Sequence, residues 1–199
     1  NSALELASGE FVGLLDSDDE LASHALFKVI ELINKHPQAD FIYSDEDKVS
    51  INGKHIDPFF KPDWSPDLLL SMMYTCHFTV YRKKLVEKVG GLRKEYDGSQ
   101  DWDLALRISE KTDNIYHIPD ILYHWKQNRG SGSLEIPEKK IIENSRKAIK
   151  AALRRKKIQG QVVKARFPNH FRVKRSIKNE PSVEVIIPSG GNQSLLKNC

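Results

Sequence analysis

Apolar and polar positions along this chain switch repeatedly between the strand period and the helix period. The run Phe11, Val12, Gly13, Leu14, Leu15 is followed directly by Asp16, Ser17, Asp18, Asp19 and Glu20. A short apolar run bounded by polar residues reads as a buried strand ending at a crevice. Leu26, Val29, Ile30 and Ile33 then recur at helical spacing, which predicts a helix capped by Ser23 and ended before Pro37. Asp40 to Tyr43 predicts a strand, and Lys48–Ile51 and Lys54–Ile56 flank Asn52-Gly53, a strong hairpin signal. His77 opens a strand through Tyr81, and Ser99 is placed to cap a helix running to Ile108. Pro137 suits the first position of a helix whose stripe is Ile141, Ser145, Ala148, Ile149 and Ala152, ending near Gly160. Gln161–Ala165 and Phe171–Ile177 alternate as short strands. Strands interleaved with helices predict an α/β fold.

The polar residues at the strand ends carry the candidate chemistry. Carboxylates crowded as at Asp16, Asp18 and Asp19 repel one another, and a cation relieves that repulsion. An oxygen-only ligand set favours Mg²⁺ or Mn²⁺ over zinc, and an ion held by few protein ligands keeps positions for substrate phosphates. An EF-hand loop counted from Asp16 would need Gly where Leu21 stands, so that reading fails. A solvated turn is the plainer alternative. Asp101 shares a helix face with Leu104 and Ile108 and is expected to point inward, as a general base would; Asp103, four before Arg107, is expected to point outward. Asp101 could equally just complement the helix dipole. Ser44, Asp45, Glu46 and Asp47 form a second acid cluster, read first as a turn before the hairpin. His77 suits either an acceptor-side contact or a satisfied half-buried histidine.

Taken in order, these segments resemble family 2 glycosyltransferases, inverting enzymes of GT-A fold, and most closely their bacterial glycan-assembly branch. Ser8 through Asp19 resembles the DxD segment. Gly90-Gly91-Leu92 and Gly98 to Arg107 resemble the ED-containing segment, with Gln100 where the family usually has Glu. His117-Ile118-Pro119 and Tyr123-His124-Trp125-Lys126 resemble the closing strand and HW element. The resemblance implies a GT-A (Rossmann-like) mixed sheet flanked by helices. It implies that Asp16 contacts the nucleotide sugar, Asp18 ligates Mg²⁺ or Mn²⁺, Asp19 supports that site and Asp101 is the catalytic base. Asp45, His77, Gln100, His124 and Trp125 are implied as acceptor or diphosphate contacts. The expected reaction moves a sugar from a nucleotide diphosphate-sugar to a glycan or lipid-linked acceptor in bacterial surface polysaccharide assembly. Gln100 leaves open a non-catalytic glycan-binding or scaffolding module of the same fold, whereas nothing resembles the nucleophile motif of a phosphohydrolase.

The family pattern also divides the chain. Residues 1–133 read as the C-terminal part of a GT-A domain, incomplete at its N-terminus because the base-binding strands would precede it. Residues 134–180 read as a helix and short-strand connector. Residues 181–199, with Pro181 to Ser189 followed by Asn192, Leu195, Leu196 and Cys199, resemble the opening strand and helix of a second such domain. The isolated segment is expected to be inactive.

Composition narrows partners and compartment. A chain of 199 residues, 39% hydrophobic with net charge +4, supports one sizeable core and a smaller appendage. Its basic C-terminal third includes Arg154, Arg155, Lys156, Lys157, Lys164, Arg166, Arg172, Lys174 and Arg175. That third offers a peripheral contact for anionic lipid, while the lack of interleaved aromatics argues against nucleic acid. Cys76 and Cys199 make no disulfide framework, in keeping with a cytoplasmic protein at the inner face of the membrane. No stretch approaches the roughly 18 apolar residues of a membrane span.

Overall fold

The structure, a computed structural model, describes residues 1–127, 136–177, 179 and 181–197. Residues 128–133 of the predicted first unit, and Cys199, lie outside the described residues. Helix α1 (Ser2–Leu6) leads to strand β1 (Phe11–Leu14), β2 (Glu20–Leu21) and helix α2 (Ala25–Lys35). Strands β3 (Phe41–Val49) and β4 (His55–Phe59) form the predicted hairpin, with Gly53 at φ +73° where its turn needs a left-handed residue. Helix α3 (Pro66–Leu69), strand β5 (Thr79–Arg82), helix α4 (Lys83–Lys88), a 3₁₀ turn at Lys94–Tyr96 and helix α5 (Gln100–Ile108) precede the long strand β6 (Ile115–Lys126). Helix α6 (Glu138–Arg155), strands β7 (Gly160–Lys164) and β8 (Phe171–Arg175), and helix α7 (Gln193–Leu196) complete the order.

Six strands make one mixed sheet in the order β1-β5-β3-β6-β2, with β4 paired to the free end of β3. Among the described strands only β3 and β6 run parallel. Their register slips between Ser44↔Ile118 and Asp45↔Ile121, leaving Pro119 and Asp120 bulged out of the ladder. A proline has no N–H to give the ladder, so a bulge is where a long strand can hold it. Beyond this bulge the C-terminal halves of β3 and β6 carry the polar residues of the site.

Helices cover both faces of the sheet. On one, Ala25 and Val29 of α2 pack on Ile42, Val80, Ile118 and Leu122. The small Ala25 brings α2 close, so the buried stripe is centred there rather than on Leu26 and Ile30, which are 65% and 55% exposed. The N-cap is His24, and Ser23 makes no cap bond. On the other face, Trp102 is fully buried, donates from Nε1 to the Leu69 carbonyl at 2.7 Å and lies 6.0 Å from the ring of Phe171. The α6 stripe is buried as its periodicity predicts, at Ser145, Ala148, Ile149 and Ala152. Pro137 is the N-cap of α6 rather than its first residue, and the helix ends at Arg155, since Lys157 turns to φ +55°. Phe171 and Val162 of the β7–β8 hairpin enter the same core, so the helix and strand segment packs as part of it.

Two expectations for strands change. Strand β1 pairs with β5 at the sheet edge and is half-buried, with Leu15 49% exposed beyond it. Gly13 is required in β1, because a Cβ there would come within 2.9 Å of the Phe78 ring. Residues 181–189 form no strand: Val183, Val185 and Ile186 are 81%, 79% and 88% exposed and pair with no strand among the described residues. An apolar alternation without a neighbouring strand or sheet face has nothing to order it.

Candidate active site

The acid loop between β1 and β2 is held from the far side of the sheet. Tyr123 of β6 donates its hydroxyl to Asp19 Oδ2 at 2.5 Å and accepts the Asp16 N–H at 3.3 Å, and Lys126 N–H donates to Asp19 Oδ1 at 2.8 Å. Both oxygens of Asp19 are therefore occupied in shaping the loop. Burial and the neighbouring Asp19 carboxylate hold the Tyr123 hydroxyl protonated well beyond its ordinary range. Asp18, half-buried, has no hydrogen bond or ion pair among the described residues, so its carboxylate is available to a ligand. Asp16 is exposed and faces His77, whose Nε2 lies 3.6 Å from its Oδ2 and holds its carboxyl below the usual range.

His77 links the loop to helix α5. Its ring stacks on Tyr123 with centroids 4.7 Å apart, and Trp125, 41% exposed, tilts against it at 6.2 Å. Its backbone N–H donates to Glu46 Oε2, and its carbonyl accepts from Lys61 Nζ. Burial disfavours the imidazolium, but Asp16, Glu46 and Asp101 more than offset it, so His77 titrates above the ordinary histidine value. The charge of Asp101, at the start of α5, thus acts on His77 as that of Asp16 does. Beside Asp101, burial and that carboxylate push the Cys76 thiol well above its usual range. Gln100 places a buried amide oxygen without a hydrogen bond at the same helix start.

Asp103 corrects the sequence reading. Expected outside, it is fully buried, ion-paired with Arg93 and with Arg107, whose Nη2 is 2.8 Å from its Oδ2. Every residue of α5 from Trp102 to Ile108 is buried, so this helix has no solvent face for a carboxylate. Arg107 also donates to the carbonyls of Val89 and Gly91, at 2.5 and 2.6 Å, tying the segment before α5 to the helix. Gly98 turns into α5 at φ +81°, and a Cβ there would meet Ile141 of α6 at 2.8 Å. Ser99 Oγ bonds Ser145 Oγ at 2.7 Å and makes no cap bond. Asp101 is therefore aimed by a helix locked on both sides.

Ser44 to Asp47 are not a turn. All four lie inside β3, and Ser44, Asp45 and Asp47 are buried. Their charges are matched from adjacent strands, which a linear pattern of acids cannot display. Asp45 Oδ1 sits 2.7 Å from His117 Nε2 and accepts the Lys61 N–H at 2.9 Å, while His117 stacks on Tyr43 at 4.9 Å. Buried Lys61 pairs with Glu46 at 3.0 Å, and burial draws its ammonium below the usual lysine range. Asp47 lies 2.7 Å from His124 Nδ1 and 2.8 Å from His55 Nδ1. The sequence reading assigned no role to Glu46, Lys61, His55 or Tyr123; the parity of 43, 45 and 47 along one strand was the signal that carried part of this network.

The chain matches known proteins along its whole length. Residues 1–90 match the family described as Glycosyl transferase family 2. The chain is 37% identical over 203 residues to the O-antigen biosynthesis protein RfbC of Myxococcus xanthus, covering 99% of itself and 16% of that protein. It is also 37% identical over 201 residues to an uncharacterized protein of Sinorhizobium fredii, covering 99% of itself and 22% of that protein. It therefore spans less than a quarter of these relatives. Among solved structures, S. aureus TarS in complex with UDP-GlcNAc superposes with TM-score 0.59 at 19% identity, over 77% of this chain and 45% of that one. A Pyrobaculum calidifontis mannosyltransferase, in complex with GDP-Man and Mn²⁺, gives 0.50 at 18% identity, over 75% of this chain and 42% of that one. These likenesses establish the GT-A fold.

Proposed function

From a chain that belongs to glycosyl transferase family 2, we propose that the cluster of Asp16, Asp18, His77 and Asp101 is the sugar-transfer site of an inverting enzyme acting in surface polysaccharide assembly. The observation that carries this reading is the contact of the acid loop with His77, 3.6 Å from Asp16, and it is supported by the charge of Asp101 at the α5 start, more than eighty positions on, which acts on the same imidazole. In the proposed reaction Asp101 takes the proton of an acceptor hydroxyl as its oxygen bonds the anomeric carbon. The bond from that carbon to the nucleotide diphosphate breaks on the opposite face, so configuration inverts. Asp16 and His77 bind the donor side, and His124 and Trp125 close over diphosphate or acceptor, with Asp45 and Gln100 nearby.

The residues present fit a divalent ion at Asp18. Among the described residues its carboxylate has no partner while Asp19 is fully engaged, and oxygen ligands suit Mg²⁺ or Mn²⁺. Such an ion would offset charge developing on the leaving diphosphate. The mannosyltransferase with Mn²⁺ and TarS with UDP-GlcNAc support a nucleotide-sugar donor. The acceptor is read as a glycan or lipid-linked sugar in the cytoplasm, approached through the basic C-terminal third. No described helix is long and apolar enough to cross a membrane.

Calorimetry of the full-length protein with Mn²⁺ and UDP-, GDP- and dTDP-sugars tests the donor half of this reading. Metal-dependent binding lost in Asp18→Ala is expected. In turnover assays Asp101→Asn should keep binding and lower kcat by about 10²–10⁴-fold. Failure of every donor to bind, with the fold intact, would favour the glycan-binding module that Gln100 suggests.

A further inference from the structure

Away from the acid loop, one buried carboxylate collects two imidazoles and, among the described residues, no lysine or arginine. The Asp47 side chain on β3 is 8% exposed, with Oδ1 against His124 Nδ1 of β6 and Oδ2 against His55 Nδ1 of β4. Ligand atoms of the three residues lie within 4.8 Å of one another, and the two rings meet edge to face at 4.7 Å. Among the described residues no lysine or arginine pairs with Asp47; the adjacent Lys48 turns to Asp57 and the face of Trp125. Buried carboxylates are paired with a cation or coordinate a metal. His117 shows the contrasting arrangement, since it offers opposite ring nitrogens to Asp45 and Asp63 and so bridges them rather than converging on one point.

We propose that Asp47, His55 and His124 bind a zinc-type transition-metal ion, at a site separate from the Mg²⁺ or Mn²⁺ position at Asp18. Two nitrogens and one oxygen suit zinc and its neighbours, whereas Mg²⁺ favours oxygen alone. Bonds of about 2.0–2.2 Å place tetrahedral ligand atoms roughly 3.4 Å apart. The two carboxylate–imidazole distances, 2.7 and 2.8 Å, need to lengthen by roughly 0.6–0.7 Å for this, and His55, its side chain 59% exposed at the start of β4, can take up the shift. Three protein ligands leave a fourth position for water or an anion. The ion would clip the β3–β4 hairpin to β6 one residue before Trp125, rigidifying the edge of the transfer site.

Co²⁺ is the probe. Titration of the full-length protein is expected to give the intense visible bands of a tetrahedral Co²⁺ centre, displaced by Zn²⁺ and unaffected by excess Mg²⁺. Affinity should fall at least tenfold in His55→Gln, whose exposed side chain leaves folding intact by circular dichroism, and in Asp47→Asn, and should persist in Asp18→Ala. Absence of Co²⁺ binding tighter than millimolar, or equal affinity in His55→Gln, would reduce the cluster to hydrogen bonding. Loss of binding in Asp18→Ala would merge it with the donor-side ion and overturn the separate site. None of these readouts needs sugar transfer, so the proposal stands or falls independently of the reaction.

Discussion

Cys76 shows how a residue with no evident motif is set by its neighbours. Its thiol lies beside Asp101 and Lys61, and burial together with the Asp101 carboxylate pushes it well above the usual thiol range. A group whose folded value is raised stabilises the fold fully below its unfolded value, and that contribution is lost as pH rises beyond it. Stability of the native protein should therefore decline above about pH 9, read from urea midpoints at pH 8 and 10. Iodoacetamide at pH 8 should label the half-buried Cys76 more slowly in native than in unfolded protein, by peptide mass spectrometry; equal rates would refute the raised thiol. At this scale the sequence was legible where a residue is defined by its neighbours in the chain. Asp16, Asp18 and Asp19 declared a loop, and Asp101 declared a helix start. It was illegible where the partner comes from elsewhere: Asp103 looks like an outward helix acid until Arg93 and the core around α5 are seen.

Elements were read better than their surroundings. The hairpin at Asn52-Gly53 and the α6 stripe follow from local chemistry and formed as predicted, but β3 hid its length because acids are rare in strands. Histidines from the parallel β6 and the antiparallel β4, with a buried Lys61, make Ser44 to Asp47 tolerable there. Residues 181–189 are the reverse case, with strand-like alternation but no sheet. Helix α5 carries a testable consequence. Removing the charge of Asp103 leaves buried Arg107 uncompensated, so Asp103→Asn should destabilise by about 3–5 kcal/mol in urea unfolding. A loss below about 1 kcal/mol would show the pair to be solvent-screened.

Taken whole, α6 and the β7–β8 hairpin are built into the principal core rather than hung from it. Phe171 is 3% exposed and packs toward Trp102. Phe171→Ala should cost about 3–5 kcal/mol while leaving a single cooperative transition in urea, followed by Trp fluorescence; a separate early transition for the hairpin would contradict the shared core. The α/β class and the order of the longer elements were visible from periodicity, whereas β2, α3, α4 and this sharing were not, because short elements and packing between distant segments leave no local period. The acid loop has the same long reach, being shaped by Tyr123 and Lys126 more than a hundred residues downstream. During synthesis, at roughly 5–20 residues per second, a chain that has only just emerged past its DxD segment holds those acids unshaped for several seconds. The loop thus takes its shape only once β6 has left the ribosome.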